Sequence, residues 1–269
     1  MEKVRLGIIG VGNMGTAHAA YLTKNEVPNA ELTAVADVKP DRLEWAEKSL
    51  PASVKRFETA SSMMESGEVD AVIVATPHYD HPPLAIEGFS KNLHVLIEKP
   101  AGVYTRAVRE MNEAAAKTDK IFGIMYNQRS VPLHQKFREL VQNGELGEIK
   151  RTNWIITNWF RSQTYYDSGG WRATWAGEGG GVLINQCPHN LDLWQWICGM
   201  PNKVQAFMGF GKWHNIEVED DVTAYVEYPN GATGVFITTT ADAPGTNRLE
   251  VTGTRGKVIM EDGKLRGLS

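Results

Sequence analysis

The sequence predicts an α/β chain in two parts: an N-terminal doubly wound parallel Rossmann sheet, residues 1–126, and a C-terminal α/β domain, residues 127–269, with an open, mostly antiparallel sheet. Three observations predict it. An apolar strand runs straight into Gly10-Val11-Gly12-Asn13-Met14-Gly15, and Asp37 closes the next apolar strand 22 residues after Gly15. Short β-branched runs then alternate with helix-like segments as far as Met125, the pattern of parallel strands joined by crossover helices. From Val204 onward short strands follow one another with turns between them, Pro229-Asn230-Gly231 the clearest, as in an antiparallel meander.

In chain order, strands are expected at residues 4–9, 32–36, 54–57, 71–75, 95–97 and 121–125. Their near-continuous apolar character suits strands buried on both faces. Helices are expected at residues 13–24, 41–49, 61–65, 83–91 and 106–117, with Thr59 and Thr105 as capping residues of the third and fifth. After Asn127 the texture changes to a helix over residues 133–142, ended by Asn143-Gly144, and a strand over 149–158. One more helix, 186–197, precedes the meander strands at 204–210, 222–228, 233–239, 248–252 and 257–260, and should cover one face of their sheet.

At 269 residues, 42% hydrophobic and 22% charged, the chain is long enough for two cores. A net charge of -4 with no long basic run argues against nucleic acid as a partner. Cys187 and Cys198 are too few for a disulfide framework and lack a CxxC spacing, so both are expected as buried free thiols. No apolar run reaches the ~18 residues of a membrane span, and the N-terminus reads as a strand rather than a signal segment. A cytoplasmic protein without a membrane partner is the expectation.

The glycine spacing is that of a dinucleotide-binding turn. Gly10 makes the tight turn, Gly12 lets the backbone approach a pyrophosphate, Gly15 lets helix and strand pack closely, and Asn13 and Met14 complete the turn. Asp37 is placed to accept the adenosine ribose hydroxyls and would repel a 2′-phosphate, which selects NAD, although Lys39 and Arg42 leave NADP use open. In an open parallel sheet ligands bind beyond the carboxyl ends of the strands. The segments there are Thr76-Pro77-His78-Tyr79-Asp80-His81, Glu98-Lys99-Pro100 and Asn127-Gln128-Arg129. From them Thr76, Pro77, His78, His81, Glu98, Lys99 and Asn127 are expected around the cofactor. His78 and His81 have a ligand-like spacing without further ligands near them, so no metal is expected. In the second part Trp159, Arg161, Tyr165, Tyr166, Trp171, Arg172 and Trp175 lie along a glycine-rich loop and are candidates for the substrate side, since aromatic faces pack on the CH faces of sugars. Trp194 and Trp196 are expected to fill the core.

These motifs, with Ala75-Thr76-Pro77, Glu98-Lys99-Pro100, Gly144-Glu145-Leu146-Gly147 and Gly179-Gly180-Gly181-Val182-Leu183-Ile184 leading into His189-Asn190-Leu191-Asp192, resemble the glucose-fructose oxidoreductase and inositol 2-dehydrogenase family along nearly the whole chain. The resemblance implies hydride transfer at a secondary hydroxyl of a sugar, glycoside or inositol. It implies Lys99 and His189 as the reactive pair, both touching substrate, and a homo-oligomer, dimer or tetramer, formed through the C-terminal sheet. It also implies further sheet and helix past Ser269, so that this chain is expected to be shortened. One departure stands out: many relatives carry an aspartate four residues before the histidine, and this chain has Asn185. Asparagine has no charge to raise a histidine's pKa, yet it can hydrogen-bond a substrate hydroxyl, and Asn185 is expected in the catalytic pocket. Asp192 is a further candidate to orient His189. Two other functions fit the same motifs: a redox-neutral epimerase or glycoside-cleaving enzyme that uses NAD transiently, and a non-catalytic nucleotide sensor.

Overall fold

Parallel strands need long return paths, and the first half of the chain supplies a helix for most of them. The computed structural model describes residues 3–268, and the chain divides into two units, Met1–Met125 and Tyr126–Ser269. The first contains β1 (Val4–Ile9), α1 (Asn13–Thr23), β2 (Ala30–Ala36), α2 (Pro40–Ser49), β3 (Lys55–Phe57), α3 (Ala60–Glu65), β4 (Ala71–Val74), α4 (His81–Ser90), β5 (His94–Ile97), α5 (Thr105–Ala115) and β6 (Phe122–Ile124). All its strands pair in parallel in the order β3-β2-β1-β4-β5-β6, so the chain starts in the middle and winds outward to each side.

Side-chain alternation explains why the strands read as unbroken apolar runs. Ile8, Val35 and Ile73 point to the face covered by α1 and α2, where they pack with Ala19, Leu22 and Ala46. Their neighbours Ile9, Ala34, Val72 and Val74 point to the other face, packing with Met63, Ala85, Phe89 and Met111 from α3, α4 and α5. Both faces are dry, so both sets must be apolar. Thr59 caps α3 as expected, accepting the Ser62 N–H at 3.1 Å. Thr105 does not cap α5: the helix begins on it, and the preceding Tyr104 holds the extended cap position without a side-chain bond. α4 starts two residues earlier than expected because Pro82 and Pro83 occupy its first turn, where a missing N–H costs nothing.

The second unit contains α6 (Pro132–Gln142), β7 (Ile149–Ile156), α7 (Gln163–Asp167), α8 (Pro188–Cys198), β8 (Lys203–Phe210), β9 (Glu219–Glu227), β10 (Thr233–Thr239), β11 (Asn247–Gly253), β12 (Lys257–Glu261) and β13 (Lys264–Leu268). Its sheet runs β13-β12-β11-β7-β10-β9-β8, antiparallel throughout except for the parallel β7–β10 pair. α6 and α8 supply Phe137, Val141, Leu193, Trp194 and Ile197 to a core with Trp154, Ile156, Phe236 and Leu249 of one sheet face. Trp194 stacks on Phe236 at 5.5 Å and donates to Thr152 Oγ1, so it is a core residue as expected. Trp196 is half-buried, packs against the same core as expected, and lies under Arg129 and Arg138 on its other side. Cys187 is buried with its Sγ 3.1 Å from Thr238 Oγ1, and Cys198 is partly buried; neither forms a disulfide. Among the described residues no helix is long and apolar enough to cross a membrane.

Candidate functional site

At Gly10 the chain leaves β1 with φ +87°, and a Cβ there would lie 2.8 Å from the Ala75 carbonyl oxygen. Only glycine serves. A Cβ on Gly15 would stand 1.9 Å from the Gly10 carbonyl oxygen, whereas one on Gly12 would meet nothing within 4 Å. Protein packing therefore accounts for the first and third glycines, and the space beside Gly12 is what close approach of a phosphate requires. Gly12 also occupies the cap position of α1, with no side-chain cap and no acidic residue in the first turn. The helix presents its first N–H groups and its positive dipole end to an anion.

Asp37 is fixed beside this turn, accepting the Val11 N–H at 2.8 Å and the Lys39 N–H at 2.9 Å on different oxygens. Each oxygen keeps acceptor capacity for a ribose hydroxyl. Beyond β4, Thr76 Oγ1 is buried and has no hydrogen-bond partner among the described residues, a hydroxyl suited to a ligand. Asn13, Met14 and Pro77 are exposed at these strand ends, and His78 is buried.

Glu98 and Lys99 follow β5, and their environments differ sharply. Glu98 is 5% exposed, with one oxygen 2.7 Å from His18 Nε2 on α1 and the other accepting the Lys99 N–H at 3.2 Å. Burial is the largest influence and opposes ionisation, but the hydrogen bond and charge of His18, joined by the amide and charge of Lys99, outweigh it and hold the Glu98 pKa below the ordinary carboxylate value. Lys99 is half-exposed, and its peptide bond to Pro100 is cis. His81 is wholly buried, with Nδ1 2.7 Å from the Pro100 carbonyl and Nε2 2.9 Å from the Thr76 carbonyl. Expected as a cofactor contact, it is instead enclosed between two strand-end loops.

In the second unit His189 is the second residue of α8, partly exposed, with its ring edge-to-face against Tyr126 at 6.1 Å. Asp192 does not orient it: Arg129 takes both carboxylate oxygens, at 2.8 and 2.5 Å. That fork, ahead of the opposing burial, raises the Arg129 pKa; burial first and the Asp192 charge second raise that of Tyr126. Asn185, half-buried four residues before His189, donates its side-chain amide to the buried Glu178. Asn127 is exposed, and its carbonyl accepts the Ser130 hydroxyl at 2.6 Å.

The aromatic loop forms a cation-π ladder. Arg161 lies over Trp159 and Tyr165, and Arg172 lies over Tyr165 and Trp171, at 4.7 to 5.7 Å. Trp159 donates to Asn190, and Trp175 is 49% exposed against Phe210. Tyr166 departs from the expected substrate-side placement. It is buried with Ala173 and Val218, donates to Thr240 Oγ1 at 2.8 Å, and burial pushes its pKa up to about 12.

Residues 4–126 match the oxidoreductase family with an NAD-binding Rossmann fold, and residues 134–259 match the GFO/IDH/MocA C-terminal domain. The chain belongs to the GFO/IDH/MocA oxidoreductase family. Within that family it is 32% identical to the D-glucoside 3-dehydrogenase of Escherichia coli strain K12, over 86% of this chain and 68% of that protein. It is 27% identical to the myo-inositol 2-dehydrogenase of Thermotoga maritima, over 96% of this chain and 75% of the relative. The WlbA dehydrogenase of Bordetella pertussis, solved with NADH and UDP-GlcNAcA, superposes with a TM-score of 0.90 at 28% identity, covering 97% of this chain and 79% of that one. Across several curated relatives the chain spans 52% to 75% of their own length. As a GFO/IDH/MocA oxidoreductase it takes NAD, and the turn at Gly12, the Asp37 acceptor and the Thr76 hydroxyl fit that dinucleotide.

Sequence reasoning missed His18 and Glu178. His18 sits on α1 three residues past Gly15, a lone imidazole among small residues, and Glu178 is an acid directly before a glycine triplet. Both patterns are visible, but a buried partner is what gives them meaning.

Proposed function

We propose that this chain is an NAD-dependent dehydrogenase that oxidises a secondary hydroxyl of a sugar, glycoside or inositol to the ketone. One observation carries the reading: a lysine at the end of β5, directly after a buried carboxylate held by His18, in the same unit as the glycine cradle. The relatives named for glucoside and inositol dehydrogenation support the substrate class. NAD, when bound, supplies the hydride acceptor.

The chain's own residues handle the proton. Oxidising a carbinol releases a proton with the hydride, so a base must meet the hydroxyl oxygen. Lys99 and His189 are the residues assigned to that work. Lys99 in its ammonium form stabilises developing alkoxide charge, and His189 accepts or relays the proton. Asp37, Thr76, Pro77, His78 and Asn127 line the cofactor side, with His81 and Glu98 as positioning residues behind them. Trp159, Arg161, Arg172, Trp175 and Asn185 face the carbohydrate or cyclitol, and Tyr166 holds their loop. A homo-oligomer formed through the open face of the second unit's sheet, in the cytoplasm, completes the reading. Exposed Ile155, Phe207 and Tyr225 on that face support the association.

Incubation with NAD and a panel of polyols, sugars and glycosides tests the reading by absorbance of reduced nicotinamide. Accumulation supports it; product without accumulation indicates the redox-neutral chemistry, and binding alone a sensor. Lys99→Ala is expected to lower kcat by roughly 100-fold or more while NADH binding persists, the range typical of a lost proton-transfer or electrostatic group. A variant retaining most of its turnover would remove Lys99 from the chemistry.

A further inference from the structure

The turn between β8 and β9 is built around one carboxylate. Asp220 on β9 is wholly buried, and its oxygens accept the backbone N–H groups of Lys212, Trp213 and His214 at 2.9 to 3.0 Å. Three amide donors fix it in the accepting role. The His214 ring lies against it, with Nδ1 3.0 Å from the same carboxylate and Nε2 2.9 Å from the Arg161 carbonyl. The His214 side chain is 8% exposed and that of Asp220 0%, so the pair is shielded from water. Arg161 is held on its other side as well: its N–H donates to the Thr240 carbonyl at 2.8 Å, and the Thr240 N–H donates to the Asp220 carbonyl at 3.0 Å. Asp220, His214, Arg161 and Thr240 thus close a ring of contacts at the start of the aromatic loop.

Both ring nitrogens of His214 face oxygens that only accept. A neutral imidazole carries one N–H, and whichever nitrogen holds it, the other turns a lone pair toward an acceptor. Only the imidazolium donates at both ends. We propose that His214 is a proton-operated latch: charged, it joins the β8–β9 turn to the Arg161 carbonyl, and on losing a proton it keeps Asp220 and releases Arg161. The order follows from charge, since an N–H bond to a carboxylate is stronger than one to a neutral carbonyl. The other groups around the ring do not change with it. Tyr166 on α7 lies edge-on at 5.0 Å; its hydroxyl donates to Thr240 Oγ1, and burial pushes its pKa up to about 12. The Arg161 guanidinium lies over Trp159 and Tyr165, and Asp221 takes the Lys212 ammonium and the Trp213 indole N–H. Gln163 and Asn215 join the same two loops through uncharged bonds, a floor that pH does not move. The latch stands whether or not the chain is a dehydrogenase.

An imidazole changes charge between about pH 5 and pH 8, so the two states are compared at pH 6 and pH 9. The reporter is hydrogen exchange at the Arg161 amide, expressed as protection over the intrinsic rate at each pH, with the amides of β11 as reference. In the parent protein protection should fall about tenfold from pH 6 to pH 9, the scale of one hydrogen bond, while the reference amides hold theirs. Ring nitrogen shifts should show His214 protonated at both nitrogens at pH 6 and at Nδ1 alone at pH 9. His214→Asn keeps an amide donor for Asp220 but is too short to reach the Arg161 carbonyl, so its Arg161 amide should be poorly protected at both pH values. Equal protection of the parent at pH 6 and pH 9 overturns the latch, as does a neutral ring at pH 6. A full pH step surviving in His214→Asn overturns the assignment to His214. The comparison on the parent protein needs no variant to fold.

Discussion

Glu98 and His18 form a buried pair directly before Lys99, and Glu98 also accepts the Lys99 N–H. The folded-state pKa of Glu98 lies below its ordinary value, so its contribution to stability is complete above the ordinary carboxylate range and is lost as pH falls through that range toward the folded pKa. Glu98→Gln should accordingly destabilise the protein most at neutral pH, by about 3–5 kcal/mol as for other broken buried pairs, and progressively less on acidification. Unfolding measured from pH 7 to pH 4 checks this; a difference independent of pH would show that the charge contributes nothing. His81 makes the complementary point. Its place in the segment after β4 suggests the cofactor, but its ring lies buried between the loops after β4 and β5, with its nitrogens 2.9 Å from the Thr76 carbonyl and 2.7 Å from the Pro100 carbonyl. Residue type and spacing reveal which loops matter, while the direction of a side chain depends on neighbours far away in sequence.

At the scale of elements, the turn from β1 into α1 was the most legible part of the chain because its geometry demands glycine for local reasons. Gly15→Ala drives a methyl into the Gly10 carbonyl, where backbone cannot yield cheaply. We expect it to abolish NAD binding measured by calorimetry and to lower the unfolding temperature; an unperturbed variant would show that α1 can retreat from the turn. The sheet of the second unit was legible as a meander, but β13 was not anticipated. Its signal is Asp262-Gly263, both at positive φ, the residue pair that a two-residue hairpin prefers. The short α7 also went unforeseen, although Ser162 caps it by accepting the Tyr165 N–H at 3.2 Å. Five residues carry too little periodicity to stand out from a loop.

For the whole molecule, the second unit's sheet has one face filled by α6 and α8 and another that exposes Ile155, Phe207 and Tyr225. Strand alternation alone produces this asymmetry, since Trp154 and Ile156 point inward on either side of Ile155. If the open face joins copies of the chain, Phe207→Glu should shift the protein to a smaller species by light scattering, while its NAD binding stays intact. An unaltered size would place any association elsewhere. The same asymmetry marks the limit of sequence reading. By itself the sequence determined the parallel sheet, its glycine turn, the acid at Asp37 just after β2 and the strand-end segment that carries Lys99, because each depends on residues close together along the chain. Only the tertiary structure decided that His18 holds Glu98, that Arg129 rather than His189 takes Asp192, and that Glu178 grips Asn185. Those contacts are made by buried charges seeking partners, and a partner is fixed by where the folded backbone brings it, not by its distance in sequence.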